Sequence, residues 1–96
     1  MHVIQLAPTQ WLVLDEQVRP RFLIVEGPMV RRDTGETHVA WRVEWWAPVR
    51  AQRHVLAVHG GLLAAQDWCR TAIGNDEMNR AAVSRSVDIT RQARGR

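Results

Sequence analysis

Apolar and polar residues alternate without a break from Thr37 to Pro48, the stretch Thr-His-Val-Ala-Trp-Arg-Val-Glu-Trp-Trp-Ala-Pro. Val39, Trp41, Val43, Trp45 and Ala47 fall on one face, and His38, Ala40, Arg42, Glu44 and Trp46 on the other. A half-buried strand needs this period of two, because successive side chains point to opposite sides of a sheet. Three of the five tryptophans lie here. The Val39 to Trp45 row is expected to face the core, which leaves the opposite row as the place where function can lie.

Other extended segments surround it. His2 to Leu6 is a short apolar run stopped by Pro8 and reads as an edge strand or a loosely held arm. Trp11 to Leu14 and Phe22 to Val25 are apolar on both faces, the pattern of strands covered on both sides. Gly27-Pro28 predicts a bulge or bend, since proline cannot donate to the ladder. Asp33-Thr34-Gly35-Glu36 has turn chemistry and joins this strand to the Trp-rich one as an antiparallel hairpin. His54 to His59 reads as a last strand, with Val55 and Ala57 on one face and Leu56 and Val58 on the other.

The period then changes. After Gly60-Gly61, the residues Leu62, Ala65, Cys69 and Ile73, with Ala72 alongside, share one helical face, and Trp68 flanks that stripe. Gly74 is placed to end this helix as a left-handed cap. Asn75 is placed to cap a second helix reaching about Arg85, with Asp76 and Glu77 favourable in its first turn. Strands followed by a helix predict an α+β domain: a mainly antiparallel sheet of about four strands, one C-terminal helix, and a second short helix or a disordered basic tail. One domain is expected over residues 1–90, with a disordered tail over 91–96.

This order carries a mismatch, because one short helix covers one face of a sheet while several strands are apolar on both. A subset of Leu12, Leu14, Leu23, Val25, Leu56 and Val58 is therefore left for the second helix or another chain to cover, and an isologous homodimer is the expected solution.

Composition supports a small folded chain: 96 residues, 46% apolar and 24% charged. All thirteen basic residues are arginine, which fits a GC-rich coding bias or selection for bidentate phosphate and carboxylate contacts. The net charge of +3 is unevenly placed. Met1 to Asn79 carries eight arginines and nine acids, whereas Arg80 to Arg96 carries five arginines and one acid. The high pI thus comes from the tail. Cys69 is the single cysteine, so no internal disulfide forms and a reducing cytoplasm is expected. No signal-peptide pattern and no apolar run near the roughly twenty residues of a membrane span occur, so no membrane partner is expected.

The chemistry-bearing motifs are sparse. With no lysine there is no phosphate loop of the Gly-rich, lysine-bearing kind, and neither His-Glu-x-x-His nor Cys-x-x-Cys occurs. Cys69 and His59 are a nominal nucleophile and base, but Cys69 lies on the apolar helix stripe, where an inert buried thiol is the ordinary outcome. His54 and His59 face opposite sides of one strand, and Asp15-Glu16 and Asp76-Glu77 read as a strand end and a helix start. No catalytic residue, metal site or cofactor is expected, and the chain is not expected to be an enzyme.

Two partner classes remain. A protein-interaction or assembly module would use the surplus apolar sheet surface against itself or another protein. A nucleic-acid-binding protein would use Arg31, Arg32, His38, Arg42 and Trp46, since arginine beside an exposed aromatic can stack on bases and pair phosphates. The tail arginines Arg80, Arg85, Arg91, Arg94 and Arg96 would add affinity, and Arg19 and Arg21 would extend the basic rim. Glu44, within the same row, counts against that surface, and the near-neutral body favours the interaction module.

Overall fold

The structure, a computed structural model, describes residues 1–76. Five strands, β1 (His2–Ala7), β2 (Gln10–Leu14), β3 (Pro20–Val30), β4 (Thr37–Trp45) and β5 (Val55–His59), pair antiparallel in chain order. A 3-10 turn, Arg50–Gln52, precedes β5, and a helix, α1, follows over residues 62–76. The architecture is the expected α+β arrangement, with His2–Ala7 paired as a full fifth strand rather than held loosely. The predicted second helix and the disordered 91–96 tail lie outside the described residues.

α1 crosses one face of the sheet. Ala65, Cys69 and Ile73 from its stripe bury against Val13, Phe22, Ile24 and Val43, with Trp11, Trp41, Leu62 and Trp68 packed around them. Phe22 is the aromatic hinge of this core. Its ring meets Trp68 edge-on at 5.5 Å between centroids and Trp45 at 6.2 Å. Such pairs add about 0.5–1.5 kcal/mol beyond the area they bury. Trp68 thus flanks the buried stripe as expected, partly buried and packed against the core through Phe22.

The Trp-rich strand is buried only in its middle. Val43 is fully buried, but Val39 and Trp45 are 53% and 48% exposed. The register explains this for Val39. β2 pairs with β3 only up to Val25, and β5 pairs with β4 only from Trp41 onward. Residues 26–30 and 37–40 thus run past both neighbours as a two-stranded arm that ends in the Arg31–Glu36 turn. Gly35 takes φ 71° there, as that turn requires.

The arm also removes the predicted bulge. Gly27 and Pro28 pair in unbroken register with Ala40 and Val39. β2 has already ended at that level, so the missing proline N–H costs no bond on that side. Irregularities fall elsewhere, at Gln5/Ala7, Val13/Leu14 and Val43/Glu44. The last of these matters most. One extra β5 residue sits between the pairs Val43–Ala57 and Glu44–Val55, so Val55 turns to the Glu44 side instead of sharing Ala57's face.

Gly74 does not cap the helix. It does not adopt positive φ, and the helix runs through it to residue 76. Asn75 accordingly lies inside α1 rather than capping a new helix. An ion pair between Arg21 and Asp76 ties the turn after Gly74 to the start of β3, offsetting a glycine cost of about 1 kcal/mol.

Candidate functional site

The face of the sheet turned away from α1 is the feature that the fold leaves unexplained. Reading across the register, one row runs Ile4, Leu12, Leu23, Glu44, Val55, and the next runs Gln10, Val25, Arg42, Val58. Leu23, on the central strand, is buried. Around it Leu12 and Val25 are half-buried, and Ile4, Leu6, Val55, Leu56 and Val58 are exposed. Leu14 and Ala40 on this side are buried as well, so the exposed part of the aliphatic surface lies on the edge strands β1 and β5. The β5 bulge enlarges it by adding Val55.

Two charges sit within it. Arg42 keeps 41% of its side chain exposed and Glu44 only 15%, and their nearest approach is 4.0 Å, from Nη2 to Oε2. The Arg42 Nε–H is buried and has no hydrogen-bond acceptor among the described residues. This is a loose pair, and it leaves a charged donor incompletely satisfied.

The other predicted site residues are spread along the molecule. Arg31 and Arg32 are exposed at the arm's turn. His38 is exposed on the arm, opposite Met29. Trp46 shares the Arg42 side of β4, but its ring is already covered: the Arg53 guanidinium lies 4.6 Å from the ring centroid, fixed by an Nε–H bond of 2.8 Å to the Ala47 carbonyl. At about 3.3 Å per residue, His38 and Trp46 are roughly 26 Å apart, so Arg42 is flanked by neither. The tail arginines Arg80, Arg85, Arg91, Arg94 and Arg96 lie outside the described residues.

Arg19 and Arg21 are not a basic rim. Both close on Asp15, a fully buried carboxylate whose place at the end of a strand does not announce its burial. Arg19 Nε donates to Asp15 Oδ2 at 3.1 Å and Arg21 Nη1 at 3.4 Å, while the backbone N–H groups of Gln17 and Arg19 donate to Oδ1 at 3.0 Å. Burial pushes the carboxyl up, but the Arg19 N–H, the Arg21 side chain, the Arg19 charge and the Gln17 N–H outweigh it and hold its pKa below the ordinary value. This cluster locks the β2–β3 turn, in which Val18 takes φ 60°. The Asp-x-x-x-Arg-x-Arg spacing was the available signal.

On the helix side, a groove of about 530 Å³ runs along the flank of α1, lined by His59, Asp67, Trp68, Thr71 and Asn75 among others. Asp67 is engaged by Arg70 at 2.6 Å. Cys69 is fully buried, and burial pushes its thiol up to about 12, so His59 and Cys69 do not make an activated nucleophile. Among the described residues, no three His, Cys, Asp or Glu side chains gather as a metal site, and no helix is long and apolar enough to cross a membrane. No family model, curated protein or solved structure matches the chain.

Proposed function

We propose that this chain is a small non-enzymatic interaction module of the cytoplasm that forms a homodimer through the sheet face opposite α1. The observation that carries the reading is the aliphatic surface of Ile4, Leu6, Leu12, Val25, Val55, Leu56 and Val58, which the described residues leave exposed or half-buried. Its size is adequate. Five strands averaging about seven residues give a face of roughly 24 Å by 24 Å, about 570 Å² per copy before corrugation. A standard interface takes about 800 Å² of accessible surface per partner, and a corrugated face approaches that figure.

Charge supports the same reading over nucleic-acid binding. Residues 1–76 carry eight arginines and eight acids, Trp46 is stacked by Arg53, and Arg19 and Arg21 are spent on Asp15. Sedimentation of the full chain from about 5 to 200 μM, with and without duplex and single-stranded DNA at low and moderate salt, tests the proposal. A dimer without DNA is expected. A monomer across the range overturns it, and a mass change seen only with DNA, lost at moderate salt, replaces it with the nucleic-acid reading.

A further inference from the structure

Resting on the homodimer reading, we infer the register of the contact: the second copy stacks its β4 antiparallel over this one, so that Arg42 of each chain meets Glu44 of the other. The argument starts from the incomplete pair. Arg42 Nε is buried without an acceptor, and Glu44, with 15% of its side chain exposed, has Arg42 no nearer than 4.0 Å. Each group has bonding capacity that the described residues of its own chain do not fill. The Arg42 side chain is 41% exposed, so its outer guanidinium nitrogens are open to a second carboxylate arriving from above the face, which would complete a charged group that Glu44 meets only at 4.0 Å.

Symmetry makes the match specific. A twofold axis lying between the two sheets, perpendicular to β4 at the level of Val43, exchanges positions 42 and 44. One contact therefore produces both Arg–Glu pairs, as an isologous interface demands. Packed sheets lie about 10 Å apart, a gap that an arginine and a glutamate reaching toward each other span.

The same axis acts on every strand at once. It lays the row Leu12, Leu23, Glu44, Val55 of one copy over the row Gln10, Val25, Arg42, Val58 of the other. Val55 then meets Val58 of the second copy, while Val25 of the second copy lies over Leu23, which is already buried within its own chain. Apolar meets apolar on both sides of the charged pair, and only Leu12 faces a polar residue, Gln10. Val55 takes part because of the β5 bulge. Without it, the residue opposite Glu44 would be Leu56 and Val55 would point toward the helix side.

The test uses two single variants of the full chain, R42E and E44R. Each destroys the pair within its own chain, and in a homodimer each sets like charges against each other across the axis. Each alone is expected to self-associate at least about 30-fold more weakly than the wild type, within the range seen for close interfacial charge pairs. Mixed in equal amounts, one variant presents acids and the other presents arginines at both positions. The mixture is expected to form a heterodimer within about tenfold of the wild-type affinity, read by native mass spectrometry with one chain carrying a mass tag.

Rescue in the mixture cannot come from the intrachain pair, which is absent in both variants. Circular dichroism and thermal melting of each variant show that it folds, since an intrachain pair 4.0 Å apart contributes little. A wild-type dimer with no rescue in the mixture overturns this register while leaving the homodimer in place. A wild-type monomer at every concentration overturns both.

Discussion

Replacing Val58 with aspartate tests the exposed face with the smallest disturbance to the monomer. Val58 lies on β5 opposite Arg42 and is 42% exposed, so a little under half of its surface is still available to bury. Full burial of a valine side chain gives about 1.5–3 kcal/mol. The remaining share is therefore worth roughly 0.6–1.3 kcal/mol per chain, and an isologous contact counts it twice. The loss is about 1.2–2.5 kcal/mol per dimer, roughly 7- to 70-fold in Kd. An unpaired carboxylate must also be stripped of water, so the observed weakening should exceed that range.

Sedimentation equilibrium gives the dissociation constants directly. Thermal melting at about 5 and 500 μM gives a second reading, because a dimer's Tm rises with concentration. The wild-type Tm should rise between these concentrations, and that of V58D should barely move. V30D is the control: Val30 is 59% exposed, near the tip of the β3–β4 arm and on the helix side of β3, and its change should leave self-association unaltered. Equal weakening by V30D and V58D would refute the reasoning, because the effect would then be general charge rather than this face.

Three further outcomes follow from the described residues. Gly74→Ala should stabilise the chain by about 0.5–1 kcal/mol, seen as a Tm increase, because Gly74 is helical and an added Cβ meets nothing within 4 Å; a decrease would restore the left-handed cap. Cys69 should resist a disulfide reagent at pH 8 until denaturant is added, since a thiol with a pKa of about 12 is ionised to only roughly one part in ten thousand. Asp15 has a folded pKa below its ordinary 3.8, so its stabilisation is complete above that value and disappears as pH falls through the folded one. D15N should melt lower than the wild type at pH 7, and the gap should close in denaturation series taken well below pH 3.8.

The strands and the helix stripe were legible because each depends on a local period. Ala65, Cys69 and Ile73 are buried as their spacing requires, and Thr37–Trp45 is a strand as its alternation predicts, although only Val43 of the row expected to face the core is fully buried. What depends on two segments at once was not legible. The β5 bulge reverses Val55 through its register against Glu44, and nothing in Val-Leu-Ala-Val-His announces it. The exposure of Val39 follows from where β2 and β5 stop, a difference in strand length rather than a property of the alternating row. Trp46 looked available for a ligand because its cover, Arg53, comes from beyond the 3-10 turn. Asp15 reads as a strand end and Arg19 as part of a basic rim because neither alone shows the four-residue loop that closes them.

Those differences relocate the functional weight of the molecule. Trp11, Trp41, Trp45 and Trp68 all stand on the helix side, so the tryptophans that draw attention in the sequence are mainly structural. The opposite side is built from leucine, valine and isoleucine with one loosely matched arginine and glutamate. A face meant for water would alternate to polar residues at these positions, as β4 does on its arm at His38. Here β2 and β3 keep Leu12, Leu23 and Val25 in adjacent rows, and β5 uses a bulge to bring Val55 to the same side. A five-stranded meander followed by one helix across a single face leaves such a surface without cover in its described part. The residues on that surface are those of a core cut in half, with one charged pair placed to set its register.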